Sequence, residues 1–175
     1  MDFFDDDGSF ISPVTIVDEE VVHAAINQLI LHEGIRLKPY KCTAGKTTIG
    51  IGRNLDDVGI SDEEAMYLLH NDMVGTVKEI VGIYPAFSEA TPARQVALID
   101  FVFNLGITRA KKFRKFWAAM NCGDYMQASK ELLVNGAGDG PSKYAQDVGK
   151  RAWRVAGQIR MGHFDVEQIE DAGRS

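Results

Sequence analysis

The stretch that decides the fold runs from residue 32 to residue 52: His32-Glu33-Gly34-Ile35-Arg36-Leu37-Lys38-Pro39-Tyr40-Lys41-Cys42-Thr43-Ala44-Gly45-Lys46-Thr47-Thr48-Ile49-Gly50-Ile51-Gly52. Its period changes partway along. Upstream, Val22, Ile26 and Leu29 step by four and three residues, the spacing of one helical stripe, and predict a helix over residues 15–33. Gly34 supplies the stop. Downstream, residues 40–42, a Thr43-Ala44-Gly45 turn and residues 47–52 read as a β-hairpin. Ile49 and Ile51 alternate with Thr48, Gly50 and Gly52, so one strand face carries glycines and stays open to a close-approaching backbone or ligand.

From residue 60 onward the pattern is helical. Ser61-Asp62-Glu63-Glu64 has the form of a capping box, with Ser61 as N-cap and Glu64 reaching back. Ala65, Leu68, Leu69, Met73, Val77 and Ile80 then carry a long amphipathic helix. Thr91-Pro92 opens another, since proline suits the first helical position; its expected buried face is Val96, Ile99, Val102 and Phe103, and Gly106 ends it. A basic helix is expected over residues 108–121, a helix capped by Asp124 through residue 134, a Gly-rich loop over 135–141 and a last helix over 146–161. The fold class is therefore α+β, mostly α, with a small β-hairpin lobe and a larger helical lobe joined by the long helix that starts at Ser61.

Length and composition agree with this. The chain has 175 residues, 45% of them hydrophobic and 25% charged, enough apolar material for a core without disulfide staples. Cys42 and Cys122 are too few for a disulfide framework and suit a reducing compartment. Residues 1–14 read as an acidic, flexible leader, residues 15–164 as the folded domain and residues 165–175 as an acidic tail. The start of the chain is acidic where a secretory signal is basic and then apolar, and no run approaches the length of a membrane span. The protein is accordingly expected to accumulate in the cytoplasm, without stable membrane insertion.

The net charge is −6, but residues 1–35 hold eight acids and no Lys or Arg, and residues 165–175 hold four acids and one Arg. The stretch between them is mildly basic, at about +5, which suits an anionic polymer such as cell wall and is too weak to indicate nucleic acid. Two motif fragments fail. His32-Glu33 begins like the zinc-protease HExxH signature, but position 36 is Arg36. Gly45-Lys46-Thr47 ends like a phosphate-binding loop, but the glycine that motif needs at position 40 is Tyr40. No metal or other cofactor is expected.

Glu33 falls four residues beyond Leu29, where the apolar stripe would continue. Semi-burial and the helix C-terminus would both raise its carboxyl pKa, as protonation of a glycosidic oxygen requires. On spacing alone Glu33 reads equally as a solvated residue at a helix end. Cys42 and Thr48 lie symmetrically about Gly45, which makes them cross-strand neighbours on one face if the turn centres there. Without Glu33 nearby they would read as a small hydrophobe and a strand residue.

These marks together resemble the active-site signature of phage endolysins of the T-even lysozyme type, glycoside hydrolase family 24: a Glu, eight residues, an Asp or Cys, five residues, a Thr. They fall on Glu33, Cys42 and Thr48, with Thr47-Thr48-Ile49-Gly50-Ile51-Gly52 around the last. The likeness extends over most of residues 22–164. It implies hydrolysis of the β-1,4 bond between N-acetylmuramic acid and N-acetylglucosamine in bacterial peptidoglycan, causing host lysis. Glu33 would be the general acid, and Cys42 and Thr48 would hold the attacking water, with inversion at the anomeric carbon. Arg151, in Lys150-Arg151-Ala152-Trp153-Arg154, would support Glu33. Phe103, Asn54, Phe116 and Glu131 are the implied sugar contacts, although both phenylalanines also fit a core.

Cys42 stands where many relatives carry Asp, Arg53 where the T-even enzyme has a His, and Asn54 in place of an apolar cleft residue. The family further implies a monomer released to the wall with the help of a phage holin. A lytic transglycosylase, which also uses one Glu, and a wall-binding homologue without catalysis are the alternatives. The run Arg109, Lys111, Lys112, Arg114, Lys115, interleaved with Phe113, Phe116 and Trp117, reads either as a grip on an anionic wall or membrane surface or as a solvated face over a core stripe.

Overall fold

The computed structural model describes residues 18–164. The leader over 1–14, the first positions of the predicted first helix and the tail over 165–175 lie outside the described residues. The chain divides into two compact units, residues 1–68 and residues 69–175.

The first unit contains helix α1 (Glu19–Glu33) and an antiparallel sheet of β1 (Arg36–Lys41), β2 (Thr47–Gly50) and β3 (Arg53–Asn54), in the order β1-β2-β3. Helix α2 (Asp62–Val81) begins here and runs into the second unit. The expected capping box forms: the Ser61 N–H donates to the Glu64 carboxylate at 2.7 Å, and the Glu64 N–H donates to Ser61 Oγ at 3.2 Å. β3 is an addition to the expected hairpin. It is held by Asn54, whose Oδ1 accepts the N–H groups of Asp56 and Asp57 at 3.0 and 3.1 Å, a local side-chain-to-backbone turn.

The turn of the hairpin sets its register. The Gly45 N–H donates to the Cys42 carbonyl at 2.8 Å and the Cys42 N–H to the Lys46 carbonyl at 3.0 Å, closing a three-residue loop of Thr43, Ala44 and Gly45. Tyr40 therefore pairs with Thr48 and Lys41 with Thr47. The hairpin pivots on Ala44, not Gly45, because the glycine takes the last loop position. Cys42 stands opposite Lys46 and diagonal to Thr48, which corrects the expected direct pairing but keeps the two side chains on one face.

The stripe Val22, Ile26, Leu29 is not a buried one. Val22 is half-buried, Ile26 and Leu29 are exposed, and α1 buries no residue. A sheet whose strands are six, four and two residues long offers too little surface to cover a fifteen-residue helix.

The second unit carries the core. It comprises the rest of α2, a 3₁₀ turn (Pro85–Glu89), α3 (Pro92–Leu105), α4 (Ile107–Ala110), α5 (Arg114–Asn121), α6 (Tyr125–Leu133), α7 (Lys143–Val148) and α8 (Lys150–Met161). Phe101 is fully buried, with Phe113, Phe116 and Tyr144 set edge-on around it at ring-centre distances of 5.1, 5.2 and 5.2 Å. α3 packs against α8, and both helices bury alanines: Ala93 and Ala97 on α3, Ala152 and Ala156 on α8. Small side chains let the two backbones approach. This turns the buried face of α3 to Ala93, Ala97, Leu98, Phe101 and Val102, so the expected Val96 and Phe103 are exposed and Ile99 is only partly covered. On α2 only Thr76 and Ile80 are buried; Leu68, Leu69 and Met73 are exposed.

Two expected helices are split. The basic helix breaks between Ala110 and Arg114, and the carbonyl this releases at Ala110 accepts the Trp117 indole N–H at 2.8 Å. The last helix breaks at Gly149, whose φ of +55° and ψ of −125° separate α7 from α8. Only glycine takes that conformation without strain. Gly149→Ala is expected to destabilise the second unit by about 1–3 kcal/mol, read as a drop of several degrees in Tm by calorimetry with the helical circular dichroism below the transition unchanged.

Candidate active site

Glu33 is the last residue of α1 and is exposed, not semi-buried as its spacing suggests. Its position is defined by the hairpin. Gly52, at φ +75°, lies against it: a Cβ at Gly52 would stand 3.5 Å from Glu33 Oε2 and 3.7 Å from Cδ. Any other residue here would combine a strained backbone with contact on the carboxyl group. At Gly50 an added Cβ would meet nothing within 4 Å, so this position is open, as the alternation of glycine and isoleucine predicts.

Cys42 and Thr48 interact across the hairpin face. Cys42 is a half-buried free thiol, while Thr48 is buried, with 4% of its surface exposed. The Thr48 hydroxyl lies 3.3 Å from the Lys46 carbonyl and also reaches the Cys42 sulfur, and its single proton can be given to either. The Lys46 N–H first, then the Ala44 N–H, pull the Cys42 thiol below its ordinary pKa; the Thr48 hydroxyl adds to this, and partial desolvation opposes it. Donors directed at sulfur favour the thiolate. The turn thus supplies a half-buried, polarised thiol beside a buried threonine.

The hairpin is braced from its far side. The Thr47 N–H donates to Asp56 Oδ2 at 2.8 Å, and Lys46 pairs with Asp57 at 2.7 Å. Arg53 donates through Nε to the Gly59 carbonyl at 2.8 Å and pairs with Glu64 at 3.0 Å, which ties the end of the sheet to the first turn of α2. The Asn54 side chain is engaged in its own turn, with Nδ2 donating to Asp57 at 2.8 Å, so its role is to hold β3.

The other expected contacts lie in the second unit. Phe103 is 43% exposed and lines a groove of about 350 Å³ with Asn71, Asp72, Thr76 and Glu79 of α2. A bare ring beside amides and carboxylates is the composition of a sugar-binding surface. Sequence reasoning missed the α2 residues; their signal is the polar recurrence at 72, 76 and 79 on a helix otherwise read for its apolar positions. Phe116 is corrected: it is fully buried against Phe101 and Trp117, out of reach of any ligand. Glu131 accepts from the Gln127 amide at 2.6 Å and lines a second groove, of about 170 Å³, away from Phe103. Arg151 donates to Asp100 at 2.6 Å, beside the buried Tyr144 hydroxyl, which burial and then the Asp100 carboxylate push up to about 12.

The phage lysozyme family model matches residues 31–148, a span that holds the whole Glu33–Gly52 stretch. The chain is 31% identical over 121 residues to an endolysin of Acyrthosiphon pisum secondary endosymbiont phage 1, covering 64% of this chain and 79% of that protein. It is 30% identical over 109 residues to the SAR-endolysin of Escherichia phage Mu, covering 60% and 62% respectively. It is 29% identical over 166 residues to the pre-baseplate central spike protein Gp5 of Enterobacteria phage T4, covering 79% of this chain but 28% of that much longer one.

The donors around Cys42 make a direct prediction. Iodoacetamide should alkylate Cys42 with a midpoint pH below 9.0, a thiol's ordinary value, when the Cys42 and Cys122 peptides are followed separately by mass spectrometry. Thr48→Val, which removes one donor, should move that midpoint upward.

Proposed function

The chain belongs to the phage lysozyme family, and we propose that it is an endolysin hydrolysing the β-1,4 bond between N-acetylmuramic acid and N-acetylglucosamine of peptidoglycan. The observation that carries this reading is the packing of Glu33 against Gly52 at the end of a hairpin whose turn polarises Cys42. Glu33 as acid and the Cys42 thiolate as base would fill the two roles that an inverting glycosidase ordinarily gives to a pair of carboxyl groups.

The Glu33 carboxyl gives its proton to the glycosidic oxygen as the bond from that oxygen to the anomeric carbon breaks. A water attacks the anomeric carbon from the opposite face and loses a proton to the Cys42 thiolate. The new hydroxyl has inverted configuration, and the Cys42 proton returns through solvent to the Glu33 carboxylate. Thr48, being buried, acts on the water through Cys42, by holding the sulfur in place and favouring its charged form. Phe103 offers a face on which a sugar ring can stack. The enzyme works as a monomer on the wall and reaches it with a holin's help; among the described residues no helix is long and apolar enough to cross a membrane.

The alignment with the T4 spike protein, over 79% of this chain, favours a second setting for the same chemistry, as a lysozyme module of a phage particle. Antibody detection of the chain in purified particles, and not only in lysates, would establish that setting.

Glu33→Gln is expected to abolish the release of reducing ends from purified peptidoglycan, a loss of at least roughly 10²-fold, while the protein stays folded. Clearing without reducing ends in the wild type would identify a transglycosylase; neither signal would leave a binding protein. Gly52→Ala, which sets a methyl group against the Glu33 carboxyl at φ +75°, is expected to lower kcat by roughly 10-fold and, through backbone strain, to lower Tm by several degrees. Nuclear magnetic resonance of the first-formed anomer should show inversion; retention would make Cys42 a nucleophile.

A further inference from the structure

The second unit carries a cationic corner that the proposed chemistry does not use. Between Asp100 and Asp124 the chain has no acidic residue but five basic ones, Arg109, Lys111, Lys112, Arg114 and Lys115. All five are exposed, and none has an ion-pair partner among the described residues. The break between α4 and α5 gathers them at one bend. In a chain of net charge −6, five neighbouring cations repel one another without local compensation, which costs stability unless an anionic partner meets them.

The aromatic residues interleaved with these cations decide what kind of partner fits. Phe116 and Trp117 are turned into the core, with 0% and 5% exposure, and Phe113 packs edge-on against Phe101. The corner therefore has charge without an apolar face to insert, whereas a helix that lies in a membrane needs both. The surface also continues into a groove. Lys115 lines it together with Lys130, Gln127, Asn135 and residues 136–138, and Glu131, which also lines it, is taken up by the Gln127 amide at 2.6 Å. Lys130 is exposed and, like Lys115, has no ion-pair partner among the described residues. Two such ammonium groups, beside a glycine-rich turn, suit a chain that carries carboxylates.

We propose that this corner and groove bind the carboxylate-bearing peptide stems of peptidoglycan, holding the polymer while its glycan is cut. The proposal rests on the reading of the protein as a wall hydrolase, but binding can be measured without cleavage.

The test uses full-length protein with Glu33→Gln, so that the wall stays intact, and purified sacculi stripped of phosphate polymers. Lys111→Glu/Arg114→Glu/Lys115→Glu is expected to weaken co-sedimentation by roughly tenfold or more in Kd at low salt. Lys78→Glu/Lys150→Glu/Arg160→Glu makes the same change of charge at other exposed positions of the same unit and should leave binding within about twofold of the parent. Lys130→Gln should weaken it by a smaller factor than the triple reversal. Blocking the wall carboxylates by amidation should reduce parental binding to the level of the corner variant, and the difference between the two should vanish near 1 M salt, where the screening length is about 3 Å.

Equal losses in the two triple variants, or binding indifferent to amidation, would overturn the proposal. So would a corner variant that keeps its wall binding but loses affinity for phosphatidylglycerol vesicles or duplex DNA. Should the wild type release no reducing ends while these binding differences hold, the hydrolase reading fails and the wall-binding surface stands.

Discussion

The three-residue turn closed by Cys42 and Lys46 is the constraint on which the site depends. Its two backbone hydrogen bonds, at 2.8 and 3.0 Å, fix the register of β1 on β2. A slip of one residue would send every side chain of β2 to the opposite face. With this register Thr48 lies diagonally behind Cys42, and the turn's own N–H groups point at the sulfur. The turn that follows β2 holds Gly52, whose bare α-carbon lies against the Glu33 carboxyl group. The surroundings of Glu33, Cys42 and Thr48 are thus all shaped by one small sheet and its turns. That sheet contributes little hydrophobic burial, so local hydrogen bonds and the acidic turn at Asp56 and Asp57 hold it in shape.

The second unit is stabilised differently. Its centre is a cluster of aromatic rings around Phe101, packed edge-on, with alanine-lined helices closing over them. Such a core has no slack for a ligand, which is why Phe116 belongs to it and not to a binding surface. What the core leaves outside is the exposed ring of Phe103 beside the polar stripe of α2, and the cations at the bend between α4 and α5.

The residues proposed to carry the chemistry stand in local geometry that the sequence makes legible. Glu33 at a helix end, a turn at Thr43-Ala44-Gly45, a glycine-rich strand and the capping box at Ser61 are each set by a few neighbouring positions. The helix over residues 125–133 was legible for the same reason, since Asp124 caps it by accepting the Gln127 N–H at 2.9 Å. What failed were readings that needed to know what packs on what. Val22, Ile26 and Leu29 share a helical stripe, yet no described residue of α1 is buried. Val96 and Phe103 gave way to Ala97 and Phe101, because close packing against α8 rewards small side chains that a hydrophobicity count undervalues. Contacts set by packing and pairing also surround Glu131 and Asn54, whose side chains bond Gln127 of the same helix and Asp57 of the turn after β3.

The sequence by itself determined the family, the reaction class it brings, the alternation of helix and hairpin, and the three residues at fixed gaps. These rest on covalent spacing and on turn and cap chemistry, which act over fewer than about ten residues. The tertiary structure added that Thr48 stands behind Cys42, that Gly52 lies against Glu33, that Phe116 is core and Phe103 surface, and that five cations have no ion-pair partner among the described residues. Burial and pairing are properties of surfaces brought together from distant parts of the chain, and no local pattern specifies which side of a helix its neighbours will cover.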